Sequence, residues 1–566
     1  MKIIVLVVSA LLTTMSCYSQ NQPYGFQLSE DAFGEIPKME LATFDHAQLW
    51  EEDTRTEEMG GRSNVGRLIP MGTNAENAGE WKTFPNGDKV WQLRFRTQDA
   101  KGLCVYFNDL YIPEGASLFF YPSNRRYFLG PFVQDDVNDF GHFMAGEITG
   151  EEGIIEYYQP AAVVGEPRLG IRAISHMYRY VYNYMEEMDE DSRGGAEFCE
   201  VDVNCPEGLG WEAQRDAVVR LLITDGSSQG YCTGSFVNNT AMDCKKYILT
   251  ALHCGVDVSD ADWLDCSVRL NYQRAQCTSG SIQTSHNRTG VIHLADSNDG
   301  GGDSGSDFLL IELQQSIPES YNPFFAGWDA STNTPSEVVG IHHPSGDRKK
   351  ISTATNIVSG TWQAPGYHWQ VKWMETVTSH GVTEPGSSGS PIFNPEKRIV
   401  GHLTGGYSCC TVGDCPPVNF TGPNEPDYYG KLDKDWDDNP NSANQKLKEW
   451  LDPDDTGLTA MDGSYINLNA VKPCNPETSM EIEHLSFSDI NLFPSLADEQ
   501  ITISTNKYKA IREFRIFNAA GANVYNGTIK EETTVVPTNQ FSQGVYYISL
   551  IENDGVHLTM KFVVNH

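Results

Sequence analysis

The sequence predicts an all-β protein made of several units in series, and three observations carry that expectation. Apolar and polar residues alternate with a period of two along much of the chain, as in AVVRLLI, SDFLLIEL and IREFRIF. These runs are short and are separated by Gly, Pro, Asn and Asp, the residues that turn a chain sharply. The 566 residues are also too many for one hydrophobic core. A hydrophobic content of 39% with 11% aromatic residues is that of folded chains and excludes wholesale disorder.

Taken in order, residues 1–20 carry one Lys, an apolar run from Ile3 to Leu12, and then small and polar residues. That run is too short to cross a bilayer and reads as a secretory signal. Thr14 stands where a lipid-attachment signal carries an aliphatic residue, so lipidation of Cys17 is not expected. Residues 21–193 form a first β-rich unit, expected to be a small sandwich. It ends in the acidic run MEEMDEDSR followed by Gly194-Gly195, the composition of an exposed proteolytic site.

Residues 194–463 hold short strands expected to close as a sandwich or barrel, with helical spacing only at NQKLKEWL. A polar linker spans 464–485. Residues 486–566 again alternate between Asn/Gly turns as a separate β unit.

The formal net charge of -36 disfavours nucleic acid, because phosphate binding needs a basic face. No later stretch is long and apolar enough for a membrane helix. Ten of the 13 cysteines fall in one segment: Cys199, Cys205, Cys232, Cys244, Cys254, Cys266, Cys277, Cys409, Cys410 and Cys415. In an exported chain such a cluster reads as disulfides, and its spacings do not form zinc knuckles.

Three local patterns carry chemistry. YILTALHC ends an apolar run on His253, and SDFLLIEL sets Asp307 before another. GVTEPGSSGSPIF surrounds Ser388 with Gly and Pro, which excludes a helix and demands a sharp bend. Singly, each has a plain explanation as a structural His, a turn Asp and a surface loop. Together they give His253, Asp307 and Ser388, the chain order of a chymotrypsin-type triad.

A serine needs a base to take its proton as it attacks, and a His titrating near neutrality supplies one. An Asp then holds the imidazole tautomer, while the N–H groups of Gly386 and Ser388 face the developing oxyanion. Ser390 stands where an esterase elbow needs Gly.

The segments CEVDVNCPEG, CTGSFVNNTA, LTALHC, SDFLLIEL, FFAGWD, GIHHPSGDRKKIS, GVTEPGSSGSPIFNPEKRIVG, DYYGK and EWLDPDDTG resemble the lysyl endopeptidases over about residues 194–463. These are bacterial chymotrypsin-fold serine proteases. The resemblance implies two antiparallel β-barrels with the site in the cleft between them. It implies the disulfides Cys205–Cys277 and Cys232–Cys254, a bond from Cys199 to Cys409 or Cys410, and Cys415 with the remaining vicinal Cys. Cys244 and Cys266 are then expected to pair. Asp427 is placed at the base of the primary pocket, for a substrate Lys or Arg. Trp362 takes, after a gap, the place of a pocket-side Trp, and Thr404 fills the position of the His on which that Trp stacks. Cleavage after both Lys and Arg is therefore expected, with Lys favoured.

The resemblance also puts the mature N-terminus at Gly194, after Arg193. Ser387 precedes Ser388 where many trypsin relatives carry Asp, so the freed amine is not expected to act as the switch. The first unit, which loosely resembles the pro-region of such proteases, is expected to be a folding aid or steric inhibitor. The pair His342-His343 is read as packing, since no carboxylate or Cys stands at ligand spacing. The acidic loops DSNDGGGDSGSD and DKDWDD lack EF-hand spacing and are read as solvated surface. No metal and no cofactor are expected.

The last unit resembles the sorting domain of the type IX secretion system through NLFPS, IREFRIFNAAGANVYNG and QFSQGVYYISLIENDGVHLTMKFVV, with Pro494-Ser495 departing from its usual opening. The whole then reads as a secreted, monomeric serine endopeptidase that engages that secretion machinery. An inactive protease-fold binding protein is the alternative, and it would require a lost triad member.

Overall fold

The computed structural model describes residues 22–58, 62–179, 195–278, 285–411, 422–468, 470–476, 490–494, 496–505, 507–508, 511–518, 522–552 and 557–565. The signal segment, Arg193, Gly194 and Cys415 lie outside them. The chain divides into two compact units between residues 479 and 480.

In the larger unit, strands Val218–Asp225, Ser228–Phe236, Tyr247–Ala251, Ser267–Leu270, His286–Thr289, Val291–Asp296 and Phe308–Leu313 pair antiparallel. The two ends of that order, His286–Thr289 and Val291–Asp296, follow one another in the chain across Gly290, which rolls the sheet into a first barrel. A second barrel runs in the order Lys350–Ala354, Val338–His342, Pro391–Phe393, Ile399–Gly406, Asp427–Lys431, Pro365–Val371 and Val358–Thr361.

The period of two explains how one strand serves two cores. Leu309, Ile311 and Leu313 point into the first barrel with Val219, Leu221 and Ile223. Phe308 and Leu310 face the other way, into an inter-barrel core with Val218, Ile341, Phe393 and Ile399. Each such fully buried side chain contributes about 1.5–3 kcal/mol before chain entropy is counted. Trp369, Val371, Ile392 and Tyr429 fill the second barrel.

The first β-rich unit is a sandwich, and it is not separate from the barrels. Its strands Asn64–Thr73, Gly102–Tyr111, Phe143–Thr149 and Arg168–Met177 continue the first barrel's sheet, because Asn64–Thr73 pairs antiparallel with Ser228–Phe236. Across this seam Val65, Leu68, Tyr106 and Met144 share a core with Leu222 and Tyr231. Buried Glu147 is gripped there by Arg220 and Arg269. The units expected on either side of residue 193 therefore share one packed body. The unit also contains a helix, His46–Glu58, anchored by the wholly buried Asp53, which accepts from Tyr178, Arg67 and Arg179.

The disulfides are Cys199–Cys410, Cys205–Cys277, Cys232–Cys254 and Cys244–Cys474. Cys409 is also disulfide-bonded. The expected Cys244–Cys266 pair does not form. Of the expected linker 464–485, the described residues 464–468 and 470–476 fold back on the first barrel instead: Ser464–Tyr465 pairs with Phe324–Phe325. The Cys474 N–H donates to the Met242 carbonyl at 3.0 Å, which brings Cys474 to Cys244. Cys266 is a free thiol in the barrel core, and burial pushes it up to about 12. Cys104 is likewise free and buried.

The smaller unit has a three-stranded and a five-stranded sheet around Ile501, Phe514, Ile548 and Phe562. No helix among the described residues is long and apolar enough to cross a membrane.

Candidate active site

His253 sits just past strand Tyr247–Ala251, and Asp307 just before its partner strand Phe308–Leu313. Pairing of those strands brings the two side chains together. The His253 ring bonds through Nδ1 to Asp307 Oδ2 at 2.7 Å, and its main-chain N–H donates to Oδ1 at 2.8 Å. Asp307 is wholly buried and adopts a φ of 68°, a left-handed conformation that Asp tolerates better than most residues. Asp299 holds it there: its Oδ2 accepts the Asp307 N–H at 2.8 Å, and its Oδ1 accepts from Gly301 and Gly302. Sequence reading passed Asp299 over as part of a solvated acidic loop.

Ser388 lies on a turn clamped by both barrels. From the first, Thr233 donates its N–H to the Ser388 carbonyl at 2.8 Å and its hydroxyl to the Gly386 carbonyl at 2.9 Å. From the second, Ser345 donates its N–H to the Pro385 carbonyl and its hydroxyl to Glu384 Oε2, both at 2.7 Å. Gly386 has a φ of 96°, and a Cβ there would come within 2.9 Å of the Gly346 nitrogen, so only Gly fits. Gly389 has a φ of 80°, and a Cβ there would meet Thr250 Oγ1, Thr233 O and Ala251 N within 2.7 Å, so the turn lies close against strand Tyr247–Ala251; among the described residues no hydrogen bond joins Ser388 to His253. Among the described residues no protein acceptor takes the N–H of Gly386 or Ser388.

Asp427 opens the strand Asp427–Lys431 and is wholly buried. Five donors converge on it: Trp373 Nε1 at 2.6 Å, the hydroxyls of Ser408 and Thr383 at 2.6 and 2.8 Å, and the N–H groups of Tyr407 and Ser408 at 3.1 Å. Burial pushes its carboxyl up from the ordinary value, against the hydrogen bonds from Ser408, Trp373 and Thr383. None of these donors was singled out in the sequence, because they come from three separate segments, at Trp373, at Thr383 and at Tyr407-Ser408.

Trp362 packs over Gly405 between the rings of Tyr407 and Tyr428, at centroid distances of 5.6 and 5.5 Å. Thr404 meets a histidine after all: His368 Nε2 lies 3.1 Å from its hydroxyl. Burial and the neighbouring His402 and Lys431 push His368 down to about 3, so it is neutral. Of the pair His342-His343, both rings are wholly buried and neither belongs to a group of metal-ligating side chains among the described residues.

The family described as "Lysyl endopeptidase, C-terminal domain" matches residues 193–430, and "Secretion system C-terminal sorting domain" matches residues 491–565. Among solved structures, the chain is similar to the Rv3671c protease of M. tuberculosis in an inactive form. That match has 15% identity and a TM-score of 0.23, covering 40% of this chain and 88% of the other. It is also similar to a thermostable serine protease, AL20, from an extremophilic microorganism. There the identity is 11% and the TM-score 0.26, over 39% of this chain and 92% of the other.

The two packed barrels, together with the first of these family matches, define a serine endopeptidase. Its residues 193–430 are a domain of the lysyl endopeptidase family. Its last unit is a type IX sorting domain, which marks the chain for the cell surface or the extracellular space and implies the secretion machinery as a partner.

Proposed function

We propose that this endopeptidase cuts peptide bonds after Lys and Arg through an acyl-enzyme on Ser388, once the chain has been processed between Arg193 and Gly194. The observation that carries the specificity is Asp427, a wholly buried carboxylate with five neutral donors and no ion pair among the described residues. A buried charge left without a counter-charge favours a cationic side chain delivered by the substrate. Thr404 in place of a stacking His supports acceptance of both Lys and Arg.

In the reaction, Ser388 Oγ attacks the carbonyl carbon while His253 Nε2 takes the hydroxyl proton. Nε2 is the ring nitrogen left available when Nδ1 is committed to Asp307. The carbonyl oxygen, now anionic, accepts from the N–H groups of Gly386 and Ser388. His253 returns the proton to the leaving amine as the C–N bond breaks, and a water repeats the sequence to free the acid and Ser388.

The test combines labelling with paired substrates. A serine-directed phosphonate is expected to label Ser388, and Ser388→Ala to abolish both labelling and hydrolysis. Matched Lys, Arg and apolar amide substrates are expected to rank Lys, then Arg, with the apolar substrate far behind. Preference for the apolar substrate would sink the pocket assignment.

A further inference from the structure

Ser387, the neighbour of the proposed nucleophile, is wholly buried, as is His342 at the end of strand Val338–His342. Ser387 Oγ accepts the Glu384 N–H at 3.1 Å, and Ser387 returns its own N–H to the Glu384 carbonyl at 2.9 Å. The same Oγ lies 2.8 Å from His342 Nδ1. Because Ser352 commits its one hydroxyl proton to the Val382 carbonyl, it accepts from Nε2–H, and in the neutral ring Nδ1 then accepts a hydrogen bond from the Ser387 hydroxyl.

Nε2 faces Ser352 Oγ at 3.3 Å, and that hydroxyl donates to the Val382 carbonyl at 3.1 Å. The bonds therefore run in one direction, from the Glu384 N–H through Ser387, His342 and Ser352 to Val382, and close a ring on the turn itself. The charged groups nearest His342 are Glu200, with Oε2 at 3.8 Å from Nε2, and Lys350. Burial and Lys350 push the imidazole down to about 3, in keeping with a neutral ring.

We propose that Ser387 and His342 are positioning residues for the reaction: their uncharged hydrogen-bond ring ties residues 382–387 to the second barrel and so aims the N–H groups of Gly386 and Ser388. The inference rests on the reading of Ser388 as nucleophile. It gives the turn a lock that needs no ammonium, and the lock is closed in the uncut chain.

The test is made on the secreted, processed enzyme. Ser387→Ala is expected to lower kcat about 10–100-fold with KM within about threefold, the cost of misaiming donors by a fraction of an ångström. Affinity for a lysine aldehyde peptide, whose adduct is an oxyanion, is expected to fall by the same factor as kcat. Affinity for the product peptide ending in a Lys carboxylate is expected to stay unchanged. Ser387→Thr keeps the hydroxyl and is expected to recover most of kcat.

If Ser387→Ala does not fold, His342→Asn, which keeps an acceptor near Nδ1, is compared with His342→Leu, and only the Leu variant is expected to lose kcat. Variants with kcat within twofold of the parent, or aldehyde and product affinities falling together, would overturn the lock while a phosphonate-labelled Ser388 leaves the nucleophile standing. A parent enzyme that the phosphonate does not label would overturn both.

Discussion

Asp307 and Asp427 are both wholly buried carboxylates in the same domain, yet their surroundings differ in kind. Both oxygens of Asp307 are engaged by one residue, His253, through its ring and its main chain. Asp427 is held by donors from Trp373, Thr383, Tyr407 and Ser408, none of which can become a cation. A carboxylate facing an imidazole that charges during a reaction stabilises that transient charge. A carboxylate held by neutral dipoles alone has hydrogen bonds but no counter-charge, and under the proposed specificity the substrate supplies it. Burial alone says nothing of role. The chemistry of the donors does.

The contrast can be broken most severely at Asp307. Asp307→Asn keeps the shape but lets the histidine take the wrong tautomer, and kcat is expected to fall about 10⁴-fold with KM nearly unchanged. A loss smaller than tenfold in steady-state kinetics would show that His253 needs no such partner. Asp427→Asn should act on binding and chemistry together. The ratio kcat/KM for Lys and Arg amides is expected to fall about 100-fold or more, while phosphonate labelling of Ser388 persists. Equal losses on Lys and apolar substrates would instead mark Asp427 as structural.

A third carboxyl, half-buried rather than wholly buried, sharpens the comparison through pH. Burial pushes Glu384 up to about 7, with Glu197 and Asp347 adding repulsion against the hydrogen bonds from Ser345 and the Glu197 N–H; Glu200, also buried, faces it. Because its proton is held more tightly in the folded chain, Glu384 favours folding below its ordinary value of 4.5, and that contribution is lost as pH rises through about 7. The Tm is thus expected to drop over this window, and Glu384→Gln to flatten the drop. An unchanged profile in the variant would assign the drop to other groups.

The smallest effect leaves every carboxylate alone. A Cβ at Gly230 would meet Ser63 O at 2.5 Å and Arg62 Cδ at 2.6 Å, both across the seam. Gly230→Ala is expected to cost the full chain about 1–3 kcal/mol. The rate constants of protease freed from residues 21–193 should not move. Calorimetry of the full chain and kinetics of the freed enzyme separate the two.

What was legible in the sequence was local. The candidates His253, Asp307 and Ser388 each sit in a pattern a few residues long, of which the fold joins His253 to Asp307, and alternation exposed the strands around them. The helix His46–Glu58 was not legible, because its inner face is carried by Leu49 and the charged Asp53 rather than by an apolar stripe. Asp299 looked like one acid among several, and only the fold aims it at the Asp307 N–H. His368 stands far along the chain from Thr404 and reaches it through the sheet that joins Pro365–Val371, Asp427–Lys431 and Ile399–Gly406. The seam was hidden for the same reason, since Asn64–Thr73 reads as any other strand until it finds Ser228–Phe236.

The Cys244–Cys474 bond also sets a limit on how far the enzyme can be trimmed. A shortened enzyme ending at Gly463 would retain every residue of the cleft and still lose its staple. Cys244 would then be a stray thiol in a domain that already holds the unpaired Cys266, and oxidative folding would gain a wrong partner to choose. Removal of the sorting unit beyond Cys474 carries no such penalty. Residues 464–468 and 470–476, which look like tether, are in effect the hem of the catalytic domain.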